Sequence, residues 1–282
     1  MNSLSIIIPA KNEGPGLSKI LPRLRQLMPH AEIIVVNDGS SDDTENVCLA
    51  HNVVLISHPY SAGNGAAIKS GARVAKGKTL VFMDADGQHN PDDIQTLTTQ
   101  IEKGYDMVVG ARSRKSQANV GRSIANTLYN LLASWMVGRK IEDLTSGFRA
   151  ANAEKFRDFL YLLPNGFSYP TTITMSFFRA GYRVAYIPIH ALPRDGNSHI
   201  NLMRDGIRFL IIIFKIGILY SPLKIFLPAS FSFFLLGTGY YAFTFLEYGR
   251  FTNMSGLLFI TSILVFLIGL VSEQITTLIY KE

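Results

Sequence analysis

The stretch TLVFMDADGQHNP, residues Thr79–Pro91, places two carboxylates directly after an apolar run. The continuous apolar residues of Thr79–Asp84 predict a buried strand. In an extended chain, side chains two positions apart point to the same side, so Asp84 and Asp86 would approach one point. Their charges repel unless a cation lies between them. We therefore expect Mg²⁺ or Mn²⁺ here, completed by water and substrate phosphates, although the spacing alone leaves a solvated acidic turn open.

Similar apolar runs lie on either side of this stretch in the sequence and alternate with amphipathic segments. Further strands are predicted at Ser5–Pro9, Glu32–Asn37, Val53–Ser57, Asp106–Arg112 and Tyr182–Ile189, and helices at about 16–28, 42–51, 63–76 and 92–103. The runs are continuous rather than alternating, as in a parallel sheet covered on both faces. The order predicts a doubly wound, mostly parallel α/β sheet, which binds ligands beyond the carboxyl ends of its strands.

Several polar residues follow other predicted strands at that same edge. Glu13 follows the first strand, and Asp38 follows the second, where it could accept hydrogen bonds from a ribose hydroxyl or a base, or cap a plain turn. Arginine suits phosphate because of its planar fork. The arginines placed on this side are Arg112, Arg122, Arg149 and Arg194. Asp143, in EDLTSGFRA, remains open as a base, a sugar ligand or a structural cap.

Other patterns narrow the class of protein. The sequence SAGNGAAIKSG (Ser61–Gly71) lacks the third glycine of the dinucleotide fingerprint, so we interpret it as close packing near a nucleotide rather than an NAD site. There is no nucleophile elbow, zinc-type cluster or Walker A loop, which disfavours nucleophilic hydrolases and P-loop ATPases. The single cysteine, Cys48, cannot form an internal disulfide.

The C-terminal part has a different composition. Residues 202–220 mix Arg204, Arg208 and Lys215 with large apolar side chains, which predicts a helix in the membrane interface, with a core helix as the alternative. Two long apolar spans follow at about 225–246 and 254–278. The predicted organisation is a catalytic domain at 1–200, interfacial helices at 201–223 and a transmembrane hairpin at 224–282.

Charge and the N-terminal sequence bear on location. The formal net charge is +6, but no nucleic-acid motif stands out, so we expect a membrane rather than DNA or RNA. The start of the chain does not resemble a signal peptide. Lys215, Lys224 and Lys281 flank the hairpin on one side and Arg250 lies in its link, which favours a cytosolic catalytic domain.

Seven motifs in order resemble the family 2 glycosyltransferases of GT-A fold. They are SIIIPAKNE, VNDGSSDDT, GNGAAIKSG, DADGQHNP, GAR, DLTSGFR and PRDGNSH. The likeness covers roughly residues 3–200 and is strongest to the polyprenyl-phosphate group, which includes dolichol-phosphate mannosyltransferases and bacterial undecaprenyl-phosphate glucosyltransferases. The two-span tail is similar to that of the bacterial members.

The resemblance implies a metal-dependent, inverting transfer of a sugar from a nucleoside-diphosphate sugar to undecaprenyl or dolichyl phosphate. The implied catalytic residues are Asp86, Arg112, Arg122 and Asp143. The implied nucleotide-sugar ligands are Pro9, Lys11, Glu13, Asp38, Gly65, Asp84 and Arg194. The implied lipid-phosphate ligands are Arg112, Arg122 and Asn126, and the implied metal ligands are Asp84, Asp86 and Gln88.

The sequence also departs from the family pattern. Lys11 stands where an aromatic residue is usual, Asn64 replaces a common Lys, and His199 replaces the Lys that usually follows the GxS pattern. The resemblance further implies an integral membrane protein of a bacterial inner membrane or an ER-type membrane, and homo-oligomerisation through the hairpin. Two other functions stay open: transfer to a lipid or glycan hydroxyl, and a non-catalytic nucleotide-sugar-binding scaffold. Processive hydroxyl-transferring synthases usually carry Q-x-x-R-W, whereas the only tryptophan here, Trp135, lies in LASWMVG.

Overall fold

The computed structural model describes residues 3–112, 120–166, 168–189, 214–215 and 217–280, with the backbone alone described for 120–126. Arg194 and His199 lie outside the described residues, as does most of the predicted interfacial segment. The side chains of Arg122 and Asn126 are likewise outside the description. The chain divides into two compact units, residues 1–200 and 201–282, which are described separately below.

The first unit is built on a seven-stranded mixed sheet. Its strands are β1 (Leu4–Ala10), β2 (Glu32–Asn37), β3 (Val54–Ser57), β4 (Thr79–Phe82), β5 (Met107–Arg112), β6 (Arg149–Asn152) and β7 (Val184–Ile189). Their order in the sheet is β3-β2-β1-β4-β6-β5-β7. All neighbours pair in parallel except at β6, which is antiparallel to both β4 and β5. The predicted mostly parallel α/β sheet is confirmed.

Helices cover both faces of this sheet. They are α1 (Gly14–Leu27), α2 (Thr44–Ala50), α3 (Asn64–Val74), α4 (Asp93–Glu102), α5 (Val120–Val137), α6 (Ala153–Arg157) and α7 (Tyr169–Arg179). Strand side chains alternate between the faces. Ile6 and Ile8 join the core formed with α1, α2 and α4, whereas Ile7 lies beside Gly71 of α3.

Strand β6 was not predicted from the sequence. Its four residues, RAAN, lack the apolar run that marked the other strands. It pairs with β4 so that Arg149 lies opposite Phe82, which brings the preceding loop beside the carboxyl end of β4. Arg149 lies on the active side of the sheet, next to the end of β4, but its side chain is fully buried and is not open to a substrate phosphate. Its guanidinium donates to the carbonyl oxygens of Pro170 and Ser146 and to Thr174 Oγ1.

The second unit contains two apolar helices of 27 residues each, α8 (Pro222–Tyr248) and α9 (Asn253–Ile279). Both are long and apolar enough to cross a membrane, with mean hydropathies of 1.3 and 2.5. In the most apolar stretch of each helix only 11% and 17% of the residues are buried, which is far less than in the core helix of a globular domain.

Small residues line the contact between these two helices. The buried residues in it recur every seven positions: Ser230, Gly237 and Thr244 on α8, and Ser255, Ser262, Gly269 and Thr276 on α9. Ser230 and Ser262 exchange hydrogen bonds, each hydroxyl donating to the other's carbonyl at 2.9 Å. Close packing of small residues, with large side chains turned outward, is typical of helices that associate in lipid.

Candidate active site

The paired carboxylates lie in the loop that follows β4. The strand ends at Phe82, and Met83 N–H donates to the Ile7 carbonyl at 3.1 Å, which ties the start of the loop to β1. A turn follows at Gly87, whose φ of +75° is a conformation that glycine adopts without strain. Gln88 N–H donates to Asp86 Oδ1 at 3.1 Å. The loop thus holds Asp84 and Asp86 at the sheet edge where ligands were expected.

Two glycines from distant segments press on this loop. A methyl group added to Gly147 would lie 2.8 Å from Asp84 Oδ2, and one added to Gly16 would lie 2.2 Å from the Ala85 carbonyl oxygen. Tyr169 Oη donates to the Gly147 carbonyl at 3.2 Å, which fixes the glycine against the carboxylate. Sequence reasoning missed both glycines, because nothing in the local pattern shows what a glycine will meet in the fold.

Asp84 is crowded by protein atoms, yet 38% of its side chain remains accessible. Burial raises the pKa of the Asp84 carboxyl, and repulsion from Asp86 raises it further, while His89, Arg112 and Arg149 act in the opposite direction. A cation bound at the two carboxylates would remove this penalty.

The donor set fits a hard divalent cation. Within the part of the chain that the structure describes, no group of three or more His, Cys, Asp or Glu side chains is placed to hold a metal. The loop therefore offers two carboxylates, with Gln88 beside them. Mg²⁺ and Mn²⁺ sites of nucleotide enzymes commonly use one or two carboxylates and leave the other positions to water and phosphate oxygens.

His89 packs against the loop that follows β4 and bonds to its backbone. It is buried, and its ring stacks on Phe148 with centroids 4.9 Å apart. Asp84 N–H donates to His89 Nδ1 at 3.3 Å. His89 therefore acts on the geometry of the loop, and the stacking on Phe148 links it to the segment that leads into β6.

Arg112 and Asp143 form one unit at the end of β5. Arg112 Nε and Nη2 donate to the two oxygens of Asp143 at 2.8 and 3.0 Å, and Nη2 also donates to Thr145 Oγ1 at 2.7 Å. Burial opposes ionisation of Asp143, but hydrogen bonds and the charge of Arg112 hold its pKa below the usual range. Among the described residues, these bonds use three of the five N–H groups of the guanidinium, and the two on Nη1 donate to none of them and so can meet an anion.

The contacts of Asp143 bear on the three roles left open by the sequence. Its carboxylate also accepts from the backbone N–H groups of Arg112, Thr145 and Ser146. An oxygen pair occupied to this extent has little capacity to accept a substrate proton. The geometry is that of a structural cap that also orients Arg112.

Asp38 anchors the loop that follows β3. It is buried, and its oxygens accept from Ser61 Oγ, Ala62 N–H and Gly63 N–H and contact His58 Nδ1 at 2.8 Å. Burial opposes its ionisation, yet these contacts lower the pKa of Asp38 overall. Both oxygens of Asp38 are therefore bonded to groups of the protein itself and are not directed at a ribose or a base.

Lys11 and Glu13 lie in the loop after β1, next to this anchor. Lys11 Nζ donates to Ser61 Oγ at 3.0 Å, and Glu13 N–H donates to Thr44 Oγ1 at 3.1 Å. Pro9 lies in β1, paired with Val36 of β2. The loops after β1, β2 and β3 are therefore bonded to one another along one stretch of the sheet edge.

Gly65 serves close packing. Its N–H donates to the Gly166 carbonyl at 3.2 Å, and an added methyl group would lie 1.9 Å from the Pro164 carbonyl oxygen. The start of α3 is thus covered by residues 164–166. The interpretation of this glycine motif as a packing element agrees with the contacts, and its N–H is not directed at a ligand.

Two family models match the chain. Residues 5–160 match the family described as Glycosyl transferase family 2, and residues 221–278 match that described as GtrB C-terminal hairpin. The undecaprenyl-phosphate 4-deoxy-4-formamido-L-arabinose transferase of Proteus mirabilis is 32% identical over 160 residues, which are 53% of this chain and 49% of that protein. The chain thus spans about half the length of that relative.

Other relatives match over more of their length. The polyprenol monophosphomannose synthase of Mycolicibacterium smegmatis is 29% identical over 205 residues, 67% of this chain and 77% of that protein. Among solved structures, glucosyl-3-phosphoglycerate synthase of Mycobacterium tuberculosis, in complex with Mn²⁺, UDP and glucosyl-3-phosphoglycerate, has a TM-score of 0.59 at 22% identity, covering 75% of this chain and 80% of that one. This likeness shows the fold, which is of the GT-A type.

Proposed function

Because the chain belongs to glycosyl transferase family 2, we propose that it transfers a sugar from a nucleoside-diphosphate sugar to a polyprenyl phosphate at a membrane. One observation carries the proposal: the carboxylate pair Asp84–Asp86 at the sheet edge and a GtrB-type hairpin occur in the same chain. Two relatives whose names include undecaprenyl phosphate or polyprenol support a polyprenyl acceptor.

Asp84 and Asp86 would hold Mg²⁺ or Mn²⁺, with Gln88 nearby. When bound, the cation would supply positive charge that stabilises the diphosphate leaving group. The loop after β4 orients both carboxylates through His89 and the two glycines that press on it. Burial and repulsion from Asp86 raise the pKa of Asp84, and a bound cation would offset both effects and hold the two carboxylates ionised.

Arg112 is the described cation best placed to meet a second phosphate. Asp143 and Thr145 fix its guanidinium and leave Nη1 with two donors. We assign Arg112 to the acceptor phosphate, together with Arg122 and Asn126, and assign Arg194 to the donor diphosphate. Asp143 is then a positioning residue that acts through Arg112.

The nucleophile in this proposal needs no strong general base. A phosphate monoester is already ionised near neutral pH, so its oxygen can attack the anomeric carbon directly, and direct attack inverts that centre. Asp143 is poorly suited to act as a base in any case. Its carboxylate accepts six hydrogen bonds, and its pKa is lowered. Charge stabilisation of the leaving group then supplies the main catalytic effect.

The donor nucleotide is assigned to the loops after β1, β2 and β3. Lys11 and Glu13 line this stretch, and Asp38 holds the loop at 58–63 in place beside them. Lys11 stands where an aromatic residue is usual. Contact with the nucleotide base would therefore rely on the ammonium group and the methylene chain of Lys11. The sheet edge and the lipid acceptor would meet on the cytosolic side.

The test uses the full chain in detergent with Mn²⁺, polyprenyl phosphate and a panel of UDP- and GDP-sugars. Release of nucleoside diphosphate and formation of glycolipid are followed together. We expect lipid-dependent product with one donor, lost in Asp86→Asn and kept in Asp158→Asn, a matched change at an exposed acid in the same domain. Removal of the metal with EDTA should have the same effect as Asp86→Asn.

The other outcomes select the alternatives. Product formed on an added hydroxyl acceptor but not on polyprenyl phosphate would move the activity to hydroxyl transfer. Donor binding without turnover on any acceptor would favour a non-catalytic scaffold. Full activity in EDTA would remove the metal from the proposal.

A further inference from the structure

Arg149 of β6 carries a positive charge into the interior of the first unit. Its side chain is fully buried, and within the part of the chain that the structure describes it forms no ion pair with a carboxylate. Its Nε is buried as well and has no hydrogen-bond partner among the described residues. Burial lowers the pKa of Arg149, yet a guanidinium stays protonated in proteins. A buried charge compensated this incompletely lowers the stability of a fold, so its presence calls for another explanation.

The guanidinium of Arg149 joins helix α7 to the segment that precedes β6. Nη1 donates to the Pro170 carbonyl and to Thr174 Oγ1 of α7, each at 3.0 Å. Nη2 donates to the Ser146 carbonyl. The planar fork of an arginine can make such bonds in two directions at once, and bonds from a charged donor are stronger than those between neutral groups. Arg149 therefore holds Ser146 in a fixed position relative to α7.

Tyr169 of α7 holds the next carbonyl of the same segment. Its Oη donates to the Gly147 carbonyl at 3.2 Å, and its side chain is buried. The guanidinium carbon of Arg149 lies 5.7 Å from the centre of the Tyr169 ring, within the range of a cation–π contact. Two successive carbonyls, those of Ser146 and Gly147, are thus fixed by two side chains that also contact each other.

The segment at 143–148 reaches both halves of the candidate active site. At its start, Asp143 accepts from Arg112 Nε and Nη2 at 2.8 and 3.0 Å and so orients the cation assigned to the acceptor phosphate. Near its end, Gly147 lies so close to Asp84 that an added methyl group would be 2.8 Å from Asp84 Oδ2. A shift of the backbone between these two points would move Arg112 and disturb Asp84 together.

We propose that Arg149 is a positioning residue, which fixes the segment at 143–148 from inside the fold and thereby sets the geometry of both the carboxylate pair and Arg112. It touches no substrate and acts through Ser146 and Gly147. Residues outside the direct ligands of a metal commonly tune its affinity in this way. The inference rests on the proposed function, because it concerns the metal and acceptor sites assigned there.

The test measures Mn²⁺ binding separately from turnover. The full chain in detergent is titrated with Mn²⁺ in the presence of UDP and of GDP, and free Mn²⁺ is read by electron paramagnetic resonance. Arg149→Lys keeps the charge but loses the planar fork, so it cannot hold α7 and Ser146 in the same way. We expect an affinity for Mn²⁺ that is weaker by about 10-fold, together with a raised KM for polyprenyl phosphate. Tyr169→Phe removes a single hydroxyl and should change the Mn²⁺ affinity in the same direction by less.

The matched control is Arg157→Lys on α6. Arg157 Nε donates to the Ala72 carbonyl at 2.9 Å, and Nη2 donates to the Ala75 carbonyl at 2.5 Å. This arginine therefore also joins two elements through backbone carbonyls, but it bonds to the end of α3 rather than to the segment at 143–148. Thermal unfolding, followed by circular dichroism, compares the stability of the variants. Arg157→Lys should leave the Mn²⁺ affinity and the acceptor KM unchanged.

Three results would overturn the proposal. The first is an unchanged Mn²⁺ affinity in Arg149→Lys. The second is an equal loss in Arg149→Lys and Arg157→Lys, which would show a general loosening of the domain. If Arg149→Lys does not fold, Tyr169→Phe decides, since it keeps the buried ring, and the third result is an unchanged affinity in that variant. Absence of Mn²⁺ binding in the unchanged chain would instead remove the metal site of the proposed function and this inference with it, so the two failures are distinguishable.

Discussion

At the residue scale, the carboxylate pair depends on the absence of a side chain at Gly147. A methyl group there would lie 2.8 and 3.1 Å from the two oxygens of Asp84, and the hydrogen bond from Tyr169 keeps the backbone from retreating. The Gly147→Ala substitution should therefore turn Asp84 away from its position. Displacement by about 1 Å can cost on the order of 100-fold in rate. We expect a loss of that order in kcat/KM and weaker Mn²⁺-dependent donor binding, measured by calorimetry.

The matched control for this prediction is Gly166→Ala. Gly166 has open space around it and an ordinary backbone conformation, so the same added methyl group meets nothing. Its activity and donor affinity should remain near those of the unchanged chain. Equal behaviour of the two variants would contradict the role assigned to Gly147.

The sequence could predict Asp84 and Asp86 because their strand and their spacing are local features. It could not predict what surrounds them, since Gly147 and Gly16 reach the loop only through the tertiary fold. Asp38 makes the same point. Its place at the end of β2 was readable, but the occupation of its oxygens by the loop at 58–63 is a contact between separate segments.

At the element scale, β6 shows why a short strand escapes prediction. Its four residues carry no periodic signal, and they become a strand because β4 and β5 leave a gap that an antiparallel segment fills. The consequence is functional, because β6 directs the segment at 143–148 to the site. The long helices were predictable for the opposite reason: continuous apolar composition over more than 20 residues is sufficient evidence by itself.

The contact between α8 and α9 gives a testable register. The hydroxyl oxygens of Ser230 and Ser262 are 3.2 Å apart, which is compatible with the short Cβ separation that a disulfide requires. With Cys48→Ala as background, Ser230→Cys combined with Ser262→Cys should form an intramolecular disulfide on mild oxidation. The loss of free thiols is read by maleimide-PEG shift on a denaturing gel.

The matched control moves one cysteine by two residues on the same helix. Ser232 is exposed, and its hydroxyl donates to Pro228 of its own helix, so Ser232→Cys with Ser262→Cys should retain both thiols. A disulfide in the control but not in the first pair would show a different register. A disulfide-linked dimer would show that the contact between Ser230 and Ser262 joins two copies of the chain instead.

At the scale of the whole molecule, the hairpin limits where the other parts of the chain can be. We propose that α8 and α9 both cross the membrane, in which case the short link between them returns the chain to the side on which it entered. The start of α8 and the end of α9 would then share one side, and the link at 249–252 would lie on the other. Lys215, Lys224 and Lys281 flank the helices on the first side, whereas the link carries only Arg250. Because cytoplasmic flanks of membrane spans carry an excess of Lys and Arg, we predict that the first side is cytosolic.

This orientation can be read from the labelling of single cysteines in cells. In a Cys48→Ala background, Arg250→Cys places a thiol in the exposed link, and Leu49→Cys places one on an exposed position of the catalytic domain. A membrane-impermeant maleimide added to intact bacterial cells expressing the chain should label the first variant, whereas the second should react only after permeabilisation. The reverse pattern would contradict a cytosolic catalytic domain. Labelling of both variants, or of neither, before permeabilisation would mean that the helices do not span as a hairpin. The reversed pattern would thus reveal an error in the assigned side, and equal labelling of the two sites would reveal that α8 does not separate them across the membrane.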